Sequence, residues 1–157
     1  MVKFWDASAI VPIVINEPTT PAVLALLRQD PHLAVWWTTE VECMSAITRR
    51  ERDGALEHEE VVTATRRLAA LSTAWDEVQP GTRLRDAANR LLRVHPLRAA
   101  DALQLSAAVT MADEDPRTLP FVTLDSRLAR AAEREGFPVI EPGQGPASGA
   151  FPSVSVR

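Results

Sequence analysis

Phe121-Val122-Thr123-Leu124-Asp125 and Phe137-Pro138-Val139-Ile140 flank a segment, Arg127 to Glu135, that ends at Gly136. The first run is short, apolar and closed by a carboxylate, and reads as a buried strand. The middle segment reads as a helix stopped by the glycine, and Phe137 to Ile140 as a second strand. A helix between two strands is a crossover, which lays the strands parallel.

The same alternation extends towards the N-terminus. Val2 to Trp5 is an apolar run ending at Asp6, and Leu33 to Trp37 is a further strand candidate. Thr20-Pro21 opens a helix with Val23, Leu24, Leu26 and Leu27 on its apolar face, since proline suits the first helical turn. Another helix begins at Thr39, carries Val41, Met44, Ser45 and Ile47 on one side, and is broken by Asp53-Gly54. Glu57 to Leu71 and Leu84 to Leu92 have helical spacing, and Trp75 to Val78 is an irregular or short extended piece before Pro80-Gly81. Asp101 starts a helix of small residues running to Ala108, and Asp113 to Pro116 is an acidic loop. Strands too continuously apolar for a half-exposed sheet, alternating with helices, imply a three-layer α/β/α sandwich around a short parallel sheet. The expected domain spans residues 1–141, followed by a Gly/Pro/Ser-rich tail over 142–157.

Composition agrees with one ordinary globular domain: 157 residues, 46% hydrophobic, 24% charged, net charge −4. Cys43 is alone and forms no internal disulfide. The N-terminal segment reaches Asp6 too soon for a signal peptide. The longest apolar stretch, Ala9 to Ile15, contains Pro12 and falls short of the ~20 residues that span a bilayer. A cytoplasmic protein without membrane contact is expected. Its acidic balance disfavours general polyanion binding but leaves room for a local basic patch.

In an open parallel sheet, chemistry collects beyond the carboxyl ends of the strands. Asp6 and Asp125 each follow a strand, Asp101 begins a helix, and Glu42 lies in the first turn of another. Carboxylates brought together repel, and a hard divalent cation relieves the conflict; oxygen ligands select Mg²⁺ or Mn²⁺ over zinc. His32, His58 and His95 show no ligand spacing. Each acid also has a local explanation. Asp101 and Asp125 could cap helices, and Thr39 with Glu42 has capping-box spacing. Asp6 has no such excuse unless a helix starts at once.

At these residues the chain resembles the PIN-domain ribonucleases, especially the VapC-type toxins of toxin–antitoxin pairs. Four blocks carry the resemblance across roughly Val2 to Ile140: Phe4-Trp5-Asp6-Ala7-Ser8-Ala9-Ile10-Val11, Glu42-Cys43-Met44-Ser45-Ala46-Ile47, Leu97-Arg98-Ala99-Ala100-Asp101-Ala102-Leu103-Gln104-Leu105, and Phe121 to Asp125 continuing into Ala131-Ala132 and Gly136-Phe137. It implies that Asp6, Glu42, Asp101 and Asp125 form a catalytic, metal-binding acidic site for Mg²⁺ or Mn²⁺. Ser8 and Thr123 would hold carboxylates or waters in place. Glu40 competes with Glu42, but Ser45-Ala46-Ile47 favours the register of Glu42. The implied activity is endonucleolytic hydrolysis of RNA, leaving a 3′-hydroxyl and a 5′-phosphate. The implied partners are a VapB-type antitoxin lying over the acidic groove and a second copy of the chain in a homodimer, for which the Thr20–Leu27 and Glu57–Leu71 helices are candidates.

Cations must hold an RNA backbone beside such a site. Arg49, Arg50 and Arg52 follow Glu42, and Arg127, Arg130 and Arg134 form a stripe after Asp125. Trp36-Trp37 has no counterpart in the resemblance and reads as core packing with one ring partly exposed. A phosphatase with Asp6 as nucleophile would need a second aspartate two residues on, where Ser8 stands. The main alternative is a doubly wound interaction or signalling domain without nuclease activity, its acids serving as helix caps.

Overall fold

Phe4 and Trp5 are adjacent, both fully enclosed, and belong to two different cores. Successive strand side chains face opposite sides of a sheet, so a strand apolar at every position must be covered on both. In the computed structural model, which describes residues 1–113 and 115–144, five strands pair in parallel, the central ones enclosed in this way. They are β1 (Lys3–Trp5), β2 (Leu33–Trp36), β3 (Asp76–Val78), β4 (Phe121–Val122) and β5 (Val139–Ile140), in the order β3-β2-β1-β4-β5.

Helices α1 (Ala7–Val14), α2 (Thr20–Gln29), α3 (Thr39–Arg52) and α4 (His58–Ser72) help cover the face that presents Trp5, Leu33, Val35 and Val122. Ile10, Val14, Ile47, Val61 and Leu68 fill that core. Helices α5 (Thr82–Val94), α6 (Ala99–Met111) and α7 (Ser126–Arg134) contribute to the other, where Phe4, Ala34, Trp36 and Phe121 meet Leu84, Leu91, Leu105 and Leu128. Phe121 stacks on Phe4 at 5.5 Å and tilts against Phe137 at 5.8 Å, joining β1, β4 and the approach to β5. The three-layer sandwich expected from the alternation is thus the observed architecture.

Several local expectations need adjustment. Helix α1 begins directly after β1, over a stretch to which the sequence reading assigned no element, and holds Pro12, which lacks a backbone donor, inside it. The helix ends soon after the proline, and Thr20 Oγ1 donates to the carbonyls of Pro12 and Ile15 at 2.8 and 3.1 Å. Trp75 to Val78 contains a true edge strand, and Leu84 to Leu92 is the centre of a longer helix. Gly54 and Gly136 terminate α3 and α7 at φ +74° and +94°, a left-handed conformation that glycine adopts without penalty. Most of the expected tail, residues 145–157, lies outside the described residues.

Leu105 on α6 is completely buried against the sheet. Leu105→Ala is expected to lower the unfolding free energy by about 3 kcal/mol, read as a shifted urea midpoint with an unchanged slope.

Candidate active site

All five strands run in the same direction, so their carboxyl ends share one edge of the sheet, and the chain leaves β1 and β4 there through Asp6 and Thr123-Leu124-Asp125. Asp6, Glu42, Asp101 and Asp125 line a single cavity of about 550 Å³, together with Ser8, Glu17, Ser45, Arg49 and Arg50. The sequence-derived acids therefore converge. Glu42 lines this cavity, whereas Glu40 is exposed on another face of α3.

Each acid is held differently. Asp6 does cap a helix: it is the N-cap of α1, accepting from the Ser8 backbone at 3.2 Å and from Ser8 Oγ at 2.7 Å. Ser8 Oγ also accepts from the Leu124 backbone at 2.8 Å and lies 3.3 Å from Thr123 Oγ1, which accepts from the Asp125 backbone at 3.0 Å. Two hydroxyls thus tie the end of β1 to the end of β4. Asp125 caps α7 through Oδ1, which accepts from the Arg127 and Leu128 backbones at 2.8 and 3.0 Å.

Glu42 departs from the capping explanation, whereas Asp101 caps α6 from within its first turn and not as the N-cap residue. The N-cap of α3 is Thr38, so Thr39 and Glu42 form no capping box. Instead Glu42 Oε1 accepts from Thr38 Oγ1 at 2.7 Å and from Gln104 Nε2 at 3.2 Å. Asp101 sits in the first turn of α6 rather than ahead of it, and its Oδ2 accepts from the Arg98 backbone at 3.4 Å. Among the described residues, Glu42 Oε2, Asp101 Oδ1 and Asp125 Oδ2 have no hydrogen-bond partner.

The electrostatics follow from this placement. Burial drives the Asp6 carboxyl from 3.8 up to about 7; bonds from Ser8 and Thr123 oppose the rise, and Glu42 adds to it. Glu42 is also raised, by burial first and by Asp101, against the bonds from Thr38 and Gln104. Asp101 is raised by burial and by Asp125, while Arg98 and Arg127 pull it down. Each of these three acids feels another member of the set.

Four carboxylates, three of them with an unpartnered oxygen, and no histidine among the described residues of the cavity wall, are a donor set suited to Mg²⁺ or Mn²⁺. The fit is one of chemistry more than of a finished cage. Among the described residues, no three His, Cys, Asp or Glu side chains stand as a ready-made cation site. Cys43 is buried with its thiol pushed well above the usual range by burial, and is no competing ligand.

The basic groups divide in a way the sequence did not reveal. Arg49 and Arg50 line the acidic cavity, but Arg50 pairs with Glu17 and donates to the Ala46 carbonyl at 3.2 Å. Arg52 lies on the outer face of α3 beside Val41 and Met44. Trp36 is buried and Trp37 is 52% exposed, as the paired-tryptophan reading anticipates. Sequence reasoning missed Thr38, Gln104 and Glu17. Thr38–Glu42 and Asp101–Gln104 are i,i+4 and i,i+3 pairs, so helical spacing could have found the first two.

The sequence profile of the PIN domain family matches residues 3–134. Solved structures share the fold. PAE2754 from Pyrobaculum aerophilum superposes with a TM-score of 0.59 and 21% identity, covering 83% of this chain and 84% of its own. FitAcB from Neisseria gonorrhoeae gives a TM-score of 0.62 and 16% identity, covering 90% and 98% respectively. No curated protein matches the chain significantly.

Asp6 titrates near its ordinary 3.8 in the unfolded chain and near 7 in the fold. Between these values the folded form retains a proton that the unfolded form has lost, so stability falls as pH rises through that window. In EDTA, Asp6→Asn is expected to flatten the fall in melting temperature between pH 4 and 7, and to melt above the parent at pH 8. A parent-like pH profile in the variant would contradict this reading of Asp6.

Proposed function

The chain belongs to the PIN domain family, and from that membership we propose that it is a divalent-metal-dependent endoribonuclease, the toxin of a VapC-type toxin–antitoxin pair. The single observation that carries the proposal is the convergence of Asp6, Glu42, Asp101 and Asp125 on one cavity at the carboxyl edge of the sheet. Mg²⁺ or Mn²⁺ would supply the positive charge that phosphodiester hydrolysis requires and an attacking water acidic enough to act near neutral pH.

The residues of the chain would divide the remaining work. Asp6 and Asp101 are proposed as direct ligands, with Glu42 and Asp125 completing the set directly or through water. Ser8 orients Asp6, and Thr38 with Gln104 fixes one oxygen of Glu42, leaving the other unpartnered. Hydrogen bonds that orient ligands in this manner typically matter 10–100-fold in affinity or activity. The carboxylates hold; they do not attack. Cleavage would leave a 3′-hydroxyl and a 5′-phosphate. A VapB-type antitoxin would silence the enzyme by lying over the acidic groove, where a basic side chain finds complementary charge. A homodimer and a cytoplasmic location complete the proposal; no helix among the described residues is long and apolar enough to cross a membrane.

The interaction-domain alternative explains Asp6 and Asp125 as caps but not Glu42, whose carboxylate is held by side chains from two elements and caps nothing.

Purified protein is expected to cleave single-stranded RNA in Mn²⁺ or Mg²⁺ and to stop in EDTA, with Asp6→Asn and Asp101→Asn each abolishing cleavage while remaining folded by circular dichroism. Variants that cut like the parent would overturn the site. A parent that binds no divalent ion at millimolar concentration would favour the interaction domain. Gln104→Leu is expected to keep the fold and weaken Mn²⁺ binding by about tenfold, measured by calorimetry.

A further inference from the structure

The cleft continues past the carboxylates. Asp101, Leu124 and Asp125 also border a second cavity of about 560 Å³, whose remaining lining is Arg98, Ala100, Ser126 and Arg127. The acidic centre therefore has a basic lobe on either side: Arg49 and Arg50 on α3, and Arg98 and Arg127 at the starts of α6 and α7. The guanidinium groups of Arg49, Arg98 and Arg127 make no hydrogen bond or ion pair with any described residue, whereas Arg50, Arg90 and Arg117 are committed to Glu17, Glu135 and Asp115. Arg98 and Arg127 lie close enough to Asp101 to favour its charged form without pairing to it.

The arginine stripe on α7 is split by this geometry. All three arginines are exposed, but Arg127 lines the second cavity and Arg130 and Arg134 do not. A solvated face accounts for the last two, whereas the first also borders the cleft.

A nucleic-acid backbone approaching four acids is repelled unless cations anchor its phosphates. Cations on one side would suffice for a strand that ends at the centre. Cations on both sides suit a strand that runs through it. We propose that Arg98 and Arg127 hold backbone phosphates of single-stranded RNA on one side of the scissile bond while Arg49 holds those on the other. This path rests on the nuclease reading and goes beyond it by assigning residues outside the acidic set. Arg98 and Arg127 act here as substrate-positioning residues.

The test is fluorescence anisotropy of an unpaired, labelled RNA in EDTA across a salt series, with cleavage kinetics in Mn²⁺. The R98A/R127A double variant is expected to bind about tenfold more weakly at low salt. Its slope of log affinity against log salt should be shallower by about 1.4, the loss of two single-strand phosphate contacts. In kinetics KM should rise with kcat within about threefold of the parent. R98K/R127K should recover most of the affinity, because a phosphate needs only the charge. R130A/R134A should match the parent throughout.

An active parent with an unaffected R98A/R127A variant would refute the path and leave the nuclease intact. Equal losses in R130A/R134A would also refute it, by showing a diffuse field rather than a groove. A parent that neither binds nor cuts single-stranded RNA would remove the nuclease reading and the path together.

Discussion

Repulsion among like charges is the constraint around which this molecule is arranged. A parallel sheet sends the ends of its strands to one edge, and β1 and β4 leave that edge through Asp6 and Asp125. The first turns of α3 and α6 add Glu42 and Asp101 to the same wall. Burial compounds the cost, most of all at Asp6, which is only 5% exposed. Such a concentration is stable only because the two cores on either side of the sheet hold the elements in place.

The acids are restrained chiefly by neutral donors. Ser8, Thr38, Gln104 and the backbone N–H groups of Ser8, Arg98, Arg127 and Leu128 provide their hydrogen bonds. A neutral donor orients a carboxylate without cancelling its charge, whereas an arginine partner would do both. Among the described residues, the one ion pair on the cavity wall, Arg50 with Glu17, spends its cation on an acid outside the set. The centre is left negative, oriented and open, with arginines at its margins that pair with no described residue.

Much of this was legible in the chain. Continuous apolar runs announced a sheet covered on both faces, and Gly54 and Gly136 marked helix ends that their positive φ angles explain. The four acids stood out by their positions after strands and at helix starts. The errors were local. No element was assigned to the stretch that forms α1, so Asp6 was left with a helix to cap only if one started at once, as it does. Glu42 looked like half of a capping box because residue spacing alone cannot distinguish a bond to the backbone from one to Thr38 and Gln104.

The sequence by itself determined which chemistry was available and which residues share a helical face, because periodicity is a property of near neighbours along the chain. It carried the oxygen-only donor set, the strand-ending aspartates and the pairs Thr38–Glu42 and Asp101–Gln104. Only the tertiary structure decided that Ser8 would bridge to Thr123 and Leu124 across more than a hundred residues. It also decided that Arg127 would line a cavity while Arg130 would not, and that Arg52 would lie away from Arg49. Those outcomes depend on strand order and on which helix packs against which face, and alternation of apolar residues leaves both undetermined.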